Sequence, residues 1–181
     1  IVAVKVIPNL WISLVSFVAP MLGGMAELIL NDYSDRKVDK YIRPWRPLVS
    51  GKMKAESALI LAFMAITTGF LLTLTLYNLI CLLAALLALA IALIYNASTR
   101  RRYMAHGLLA INLALCIAYG YAAAASAMST LALILMLMAF TDSFSTTMIT
   151  SVPDAVGDAK GGAITASVRL GERKAAELGL I

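Results

Sequence analysis

Charge is scarce in this chain of 181 residues: 14% are Asp, Glu, Lys or Arg, against about 25% in an ordinary soluble domain. Histidine occurs once and cysteine twice. Cys81 and Cys116 both fall in apolar runs with no other Cys or His at ligand spacing. That argues against a zinc site, a redox pair or a disulfide scaffold, and the two read as buried, inert thiols. No signal peptide is visible. The chain opens at Ile1 without a methionine, close to an apolar run, and closes at Ile181 where another could begin. The expectation is a single domain over residues 1–181, cut short at both ends. What abounds is apolar: 61% of residues are hydrophobic and the mean hydropathy is +0.88. A disordered chain, a collagen-like chain and a disulfide-rich secreted module are thereby excluded.

The apolar residues fall into five runs, over about 6–30, 57–76, 78–97, 107–128 and 130–149. Each is long enough to cross a bilayer as a helix of about 20 residues. The fold class expected is all-α, a polytopic transmembrane helical bundle. The second and third spans are joined only around Tyr77 and Asn78, and the fourth and fifth near Ser129. Both pairs read as antiparallel hairpins.

The net charge of +5 would point to nucleic acid on a soluble surface. Here 14 of the 15 basic residues lie in loop 31–54, in loop 98–106 and after Thr150, and only Lys5 lies at the other end. Counting spans puts those three segments on one side of the membrane, and positive-inside bias makes that side cytoplasmic. No nucleic acid is expected as a partner; membrane lipids are.

Loop 31–54 begins Asn31-Asp32-Tyr33-Ser34-Asp35-Arg36-Lys37-Val38-Asp39. If the first helix continues into it, Asn31, Asp35 and Asp39 lie one turn apart on one face, a line of hard oxygen ligands. Like charges four apart weaken a helix, and a divalent cation would remove the penalty. The plainer reading is a solvated charge cluster at the membrane edge. A second acidic pair, Asp154 and Asp158, follows the fifth span on the same side, with Lys160 and Gly161-Gly162 after it. Two such pairs about 115 residues apart can converge on one site. Mg2+ is usually held by a few carboxylates together with substrate phosphates, with bases taking up the remaining negative charge. Zinc does not fit, because no Cys or His accompanies the acids.

Asn-Asp-x-x-Asp-x-x-x-Asp at 31–39, followed by Arg43-Pro44-Trp45-Arg46-Pro47-Leu48-Val49-Ser50-Gly51, resembles the first signature of the UbiA superfamily of intramembrane prenyltransferases. Asp154-x-x-x-Asp158 with Lys160, Gly162, Thr165 and Leu170-Gly171 resembles the second. Soluble prenyl synthases share paired aspartate motifs but lack spans. CDP-alcohol phosphotransferases need an Asp-Gly and Ala-Arg pattern that is absent here. The resemblance implies a bundle of about nine spans around a central cavity, five of them visible, with one more before Ile1 and about three after Ile181.

It also implies Mg2+ held on a polyprenyl diphosphate by Asn31, Asp35, Asp39, Asp154 and Asp158, the four aspartates forming the catalytic set. Arg43, Arg46, Tyr95, Arg100 and Lys160 would bind the diphosphate. Many members carry Tyr-x-x-x-Lys in the central loop; here Tyr95 is followed by Thr99, with Arg100 beside it. Archaeal members often place acidic and basic residues before the second motif, where this chain has Thr146, Thr147, Thr150 and Ser151.

The Arg-Pro-x-Arg-Pro element and Asp-x-x-Gly-Asp are similar to the archaeal digeranylgeranylglyceryl phosphate synthase-like branch. The expected acceptor is therefore a lipid such as geranylgeranylglyceryl phosphate. An aromatic acceptor of the 4-hydroxybenzoate, menaquinone or chlorophyll type stays open. So does an inactive or split helical module that needs a partner chain.

Other polar residues stand inside the spans. Glu27, one turn before Asn31, either supports the site or reaches the interface. Asp142, with Ser143, Ser145, Thr146 and Thr147, reads as a stripe facing a cavity. Asn112 reads as an interhelical hydrogen bonder, with substrate binding as the alternative. His106, at a loop end, reads as interfacial. Pro20, with Gly23 and Gly24, either bends the first span or serves as simple packing of small residues. The nine methionines read as adaptable packing.

Overall fold

Five long apolar helices dominate the computed structural model, which describes residues 9–97, 105–125 and 128–180. In chain order the elements are α1 (Leu10–Asp35), α2 (Asp39–Ile42), α3 (Ala55–Leu74), α4 (Leu79–Ala97), α5 (Ala105–Ala125), α6 (Thr130–Thr150), α7 (Ala155–Gly161), α8 (Ala166–Leu170) and α9 (Glu172–Gly179). No strand occurs among the described residues. Helices α1, α3, α4, α5 and α6 correspond to the five expected spans and are each long and apolar enough to cross a membrane.

Polar side chains set where these helices start. Asn9 caps α1 by accepting from the Ile12 amide at 2.8 Å. Between α3 and α4, Tyr77 takes a positive φ of 49°. Asn78 then accepts from the Ile80 and Cys81 amides at 2.9 and 3.2 Å and donates to the Ala122 carbonyl at 3.0 Å. One side chain thus starts α4 and pins the link to α5. Ser129 caps α6 through the Ala132 amide and also meets the Tyr121 hydroxyl at 2.6 Å. The link between α3 and α4 is as short as the sequence predicts, and Ser129 stands at the start of α6, where the sequence places the second link.

The interior is built of small side chains. Ala19, Ala26, Ala58, Ala62, Ala110 and Ala122 are buried, whereas Leu28, Phe17, Phe63, Leu133 and Leu137 point outward and are more than half exposed. Lipid solvates large apolar groups as well as a protein interior does, so helices gain most by close backbone approach over small residues. Gly69 of α3 shows how close: a Cβ there would sit 3.2 Å from the Ala19 carbonyl oxygen of α1. Trp11 Nε1 donates to Thr75 Oγ1 at 3.1 Å and the Thr73 and Tyr119 hydroxyls meet at 2.9 Å, tying α1 to α3 and α3 to α5.

The antiparallel order brings the ends of α1, α4 and α6 and the starts of α3 and α5 to one side of the bundle. There α7, α8 and α9 fold back under α6, with Met148, Ala166 and Ala175 as a small satellite core. Ser145 donates to the Gly179 carbonyl, and a Cβ on Gly179 would meet Ile149 Cγ1 at 2.8 Å, so α9 lies directly on α6.

Three expectations change. Cys116 is exposed rather than buried, because a cavity opens beside it; Cys81 is buried as expected. Asp142 is exposed on α6 and lines neither cavity described below; of the polar stripe expected around it, only Thr147 reaches the polar cavity. His106 is buried, 6% exposed, rather than interfacial. A residue that follows a loop in sequence can still lie inside when the elements around it fold over that end of the bundle. Asn112 does bond between helices: its amide donates to the Glu27 carboxylate at 3.2 and 3.3 Å.

Candidate functional site

Helix α1 runs five residues beyond the expected end of its span and so carries Asn31 and Asp35 out of the apolar layer in helical register. It stops at a turn over 36–38, where the Val38 amide bonds back to the Asp35 carbonyl at 2.8 Å. Asp39 then opens α2. The three ligand candidates therefore do not share one unbroken helix, yet all three face one cavity.

The second acidic segment reaches that cavity through α7. Asp154 stands just before the helix and Asp158 one turn later, with Gly162 ending the helix in the left-handed conformation at φ 76°. The two acidic segments touch at one glycine. A Cβ on Gly161 would lie 2.7 and 3.0 Å from the methyl carbons of Val38 and 3.1 Å from its Cα. Only a residue without a side chain lets α7 seat this closely on the turn between Asp35 and Asp39.

The cavity they enclose has a volume of about 210 Å³. Asp35, Asp39 and Asp158 are buried around it, and Asp154 is partly exposed. Two arginines neutralise part of this charge. Arg43 Nη2 donates to Asp154 Oδ2 at 2.5 Å, bridging the two acidic segments. Arg46 Nη1 lies 2.7 Å from Asp39 Oδ2 and 2.6 Å from Asp32 Oδ1. Burial still pushes the Asp39 carboxyl above its usual range, with Arg46 and Arg43 pulling the other way. Across the cavity, Asn31 donates from Nδ2 to the Tyr95 hydroxyl at 3.2 Å.

Of the residues singled out from sequence, the structure thus brings Asn31, Asp35, Asp39, Arg43, Tyr95, Asp154 and Asp158 to one cavity. Arg46 stands behind Asp39. Lys160 is exposed on α7 and outside the cavity wall. Arg100 lies outside the described residues. His106 also lines the cavity, as do Thr147, Thr150, Ser151 and Thr165. Sequence reasoning placed Thr165 in the second signature and Thr147 in a cavity-facing stripe, but gave none of these a role in binding and read His106 as interfacial. The usable signal was that His106 is the chain's only histidine and begins a span on the same side as both acidic motifs.

The donor set is all oxygen and suits a hard cation such as Mg2+. Among the described residues no three acidic, histidine or cysteine side chains form a ready-made metal cluster.

A second cavity of about 140 Å³ lies deeper in the bundle, walled by small and apolar residues such as Gly23, Phe70, Ala88 and Leu89. Three helices contribute to both cavities at neighbouring turns: Glu27 and Asn31 on α1, Ala92 and Tyr95 on α4, Asn112 and Leu109 on α5. One helical turn rises about 5.4 Å. The apolar cavity therefore adjoins the polar one directly, toward the middle of the spans.

The likeness to known proteins follows the same lines. A family model for the UbiA prenyltransferase family matches residues 1–181. A digeranylgeranylglyceryl phosphate synthase of Hyperthermus butylicus is 33% identical over 166 residues, covering 84% of this chain and 55% of that protein. A 4-hydroxybenzoate octaprenyltransferase of Citrobacter koseri is 33% identical over 124 residues, covering 67% of this chain and 43% of that protein. The chain spans about half the length of these relatives. A UbiA homolog from Archaeoglobus fulgidus, solved bound to GPP and Mg2+, shares the fold with a TM-score of 0.83 at 20% identity, over 96% of this chain and 63% of that one. Five apolar helices in this fold, with both acidic signatures present and the family match running over the whole length, make the chain an integral membrane protein of the UbiA prenyltransferase family.

Proposed function

We propose that this chain carries the donor site of a Mg2+-dependent prenyltransferase, which moves a polyprenyl group, geranylgeranyl by preference, from its diphosphate to a lipid-like acceptor. The observation that carries this reading is the adjacency of the two cavities. A polar chamber lined by four aspartates adjoins an apolar one, matching an amphiphile with a diphosphate head and a hydrocarbon tail. The described residues then act as one domain.

Asn31, Asp35, Asp39, Asp154 and Asp158 would hold Mg2+ together with the diphosphate, and the ion would supply positive charge for the departing diphosphate. The residues present do the rest. Arg43 and Arg46 exchange their carboxylate partners for phosphate oxygens, so that neither charge is left unpaired. Lys160 and Arg100 would supply further positive charge to the diphosphate, and Tyr95 holds Asn31 in place. The four aspartates stand around the cavity before the ligand arrives, so the groups that would hold the ion against the leaving diphosphate are already gathered. The apolar spans keep water from the allylic carbon.

Geranylgeranylglyceryl phosphate is the acceptor favoured by the motifs and by the Hyperthermus relative. The Citrobacter relative, equally identical over a shorter stretch, supports an aromatic acceptor as the second reading. The acidic motifs face the cytoplasm, because the basic segments share their side. Cysteines at Ser50 and Lys160 should then react with an impermeant thiol reagent from the cytoplasmic side, and one at Ser129 from the other; Ser50 and Lys160 labelling from opposite sides would end the reading. For the chemistry, the full-length chain in membranes is incubated with labelled geranylgeranyl diphosphate, Mg2+ and each acceptor. Transfer to geranylgeranylglyceryl phosphate is expected. Transfer only to 4-hydroxybenzoate would replace the first reading with the second, and transfer to neither would overturn both.

A further inference from the structure

The polar cavity has two unlike walls. Helices α1 and α2 and the segment entering α7 supply its carboxylates and Arg43, whereas α4, α5 and α6 supply Tyr95, His106, Thr147, Thr150 and Ser151. Most polar groups on the second wall are already engaged. Tyr95 accepts from Asn31, and the Thr147, Thr150 and Ser151 hydroxyls donate back to carbonyls of their own helix. His106 differs. It is 6% exposed, it lines the cavity, and among the described residues neither Nδ1 nor Nε2 has a hydrogen-bond partner.

A buried polar group without a partner costs free energy, so the folded chain leaves His106 open to a partner that it does not itself supply. The cavity is where that partner can sit. Carboxylates only accept and guanidinium only donates, whereas a neutral imidazole does both, as a hydroxyl does. The wall opposite is equipped for charge.

We propose that His106 binds the hydroxyl-bearing head of the prenyl acceptor, and so fixes where the acceptor's oxygen stands relative to the donor held on the charged wall. This rests on the prenyl-transfer reading above and adds to it the residue that holds the second substrate. The hydroxyl of a glyceryl lipid and the phenol of an aromatic acid present the same chemistry to it.

The test uses the full-length chain in proteoliposomes, with His106→Ala and with His106→Gln, whose amide retains a donor and an acceptor. Two quantities are read: Mg2+-dependent affinity for geranylgeranyl diphosphate, and KM for whichever of geranylgeranylglyceryl phosphate or 4-hydroxybenzoate the parent prenylates. His106→Ala should raise the acceptor KM by about fivefold, the weight of one neutral hydrogen bond. Donor affinity should stay within about twofold, which also shows that the charged wall is folded, and His106→Gln should recover most of the acceptor loss. An unchanged acceptor KM, an equal fall in donor affinity in both variants, or no recovery with glutamine overturns the proposal while the prenyl-transfer reading stands. If the parent binds no geranylgeranyl diphosphate in the presence of Mg2+, that reading falls and the role of His106 falls with it.

Discussion

The two cavities are built from the same helices by opposite means. Deep in the bundle, α1, α3, α4 and α5 meet over glycine and alanine, and the space between them is what small side chains leave open. At the end of the bundle the space is held open by charge, with buried carboxylates facing one another and two arginines bracing them. The first kind of cavity tolerates any apolar occupant that fits. The second is lined by charged groups drawn together at close range, and so demands a particular chemistry of its ligand. Substitutions should therefore act differently in the two places.

The largest effect is expected from the carboxylates. Asp35→Asn and Asp158→Asn each remove one anionic ligand with little change of volume. Each should weaken Mg2+-dependent binding of geranylgeranyl diphosphate by about a hundredfold, read by titration in detergent, while helical content by circular dichroism stays at the parent level. Parent-like binding in both would reduce the polar cavity to a solvated charge cluster.

Gly161→Ala comes next. Its new methyl group would press on Val38, at a cost of about 1 to 3 kcal/mol in overpacking. The expected readout is a lower melting temperature together with weaker diphosphate binding, because the strain separates the two acidic segments. Adding Val38→Ala should restore part of both. No recovery would mean that the contact does not hold the site together.

Ala88→Phe should affect only the apolar cavity. A phenylalanine ring there takes space from a hydrocarbon tail, so affinity for geranylgeranyl diphosphate should fall by about tenfold. Affinity for dimethylallyl diphosphate, with its five-carbon tail, should hold. Equal losses for both donors would remove the assignment of head and tail to the two chambers.

The smallest effect concerns Asp39. Burial raises its carboxyl above the usual value of 3.8, so the folded chain binds more protons than the unfolded one just above that pH. Stability without Mg2+ should then fall slightly as pH rises above the usual value of 3.8, and Asp39→Asn should flatten the slope. Thermal melts across that range check it, and a stability that rises with pH through Asp39 would contradict the burial argument.

Much of this architecture is legible in the sequence, because long apolar runs and the clustering of basic residues report directly on the bilayer. The acidic motifs are legible too, since aspartates four apart beside a span have few plain explanations once a second pair appears. Side-chain burial is less so. Asp142 resembles Glu27 in sequence, yet only Glu27 lines a cavity and meets a partner helix, through Asn112. Which face of a membrane helix is inward depends on neighbours that a nearly uniform apolar pattern does not reveal. His106 and Gly161 were obscured for a related reason. The roles of both depend on residues far away in the chain, Val38 for one and the walls of a cavity for the other.

The central claim is that the two acidic segments form one site. The direct test is a double-mutant cycle on Mg2+-dependent binding of geranylgeranyl diphosphate, comparing Asp35→Asn, Asp158→Asn and the two together. If both aspartates serve one bound metal–diphosphate, the double variant should bind within about twofold of the weaker single variant, because the first loss already disables what the second would remove. Losses that multiply, each independent of the other, would show two separate charge clusters and contradict the account.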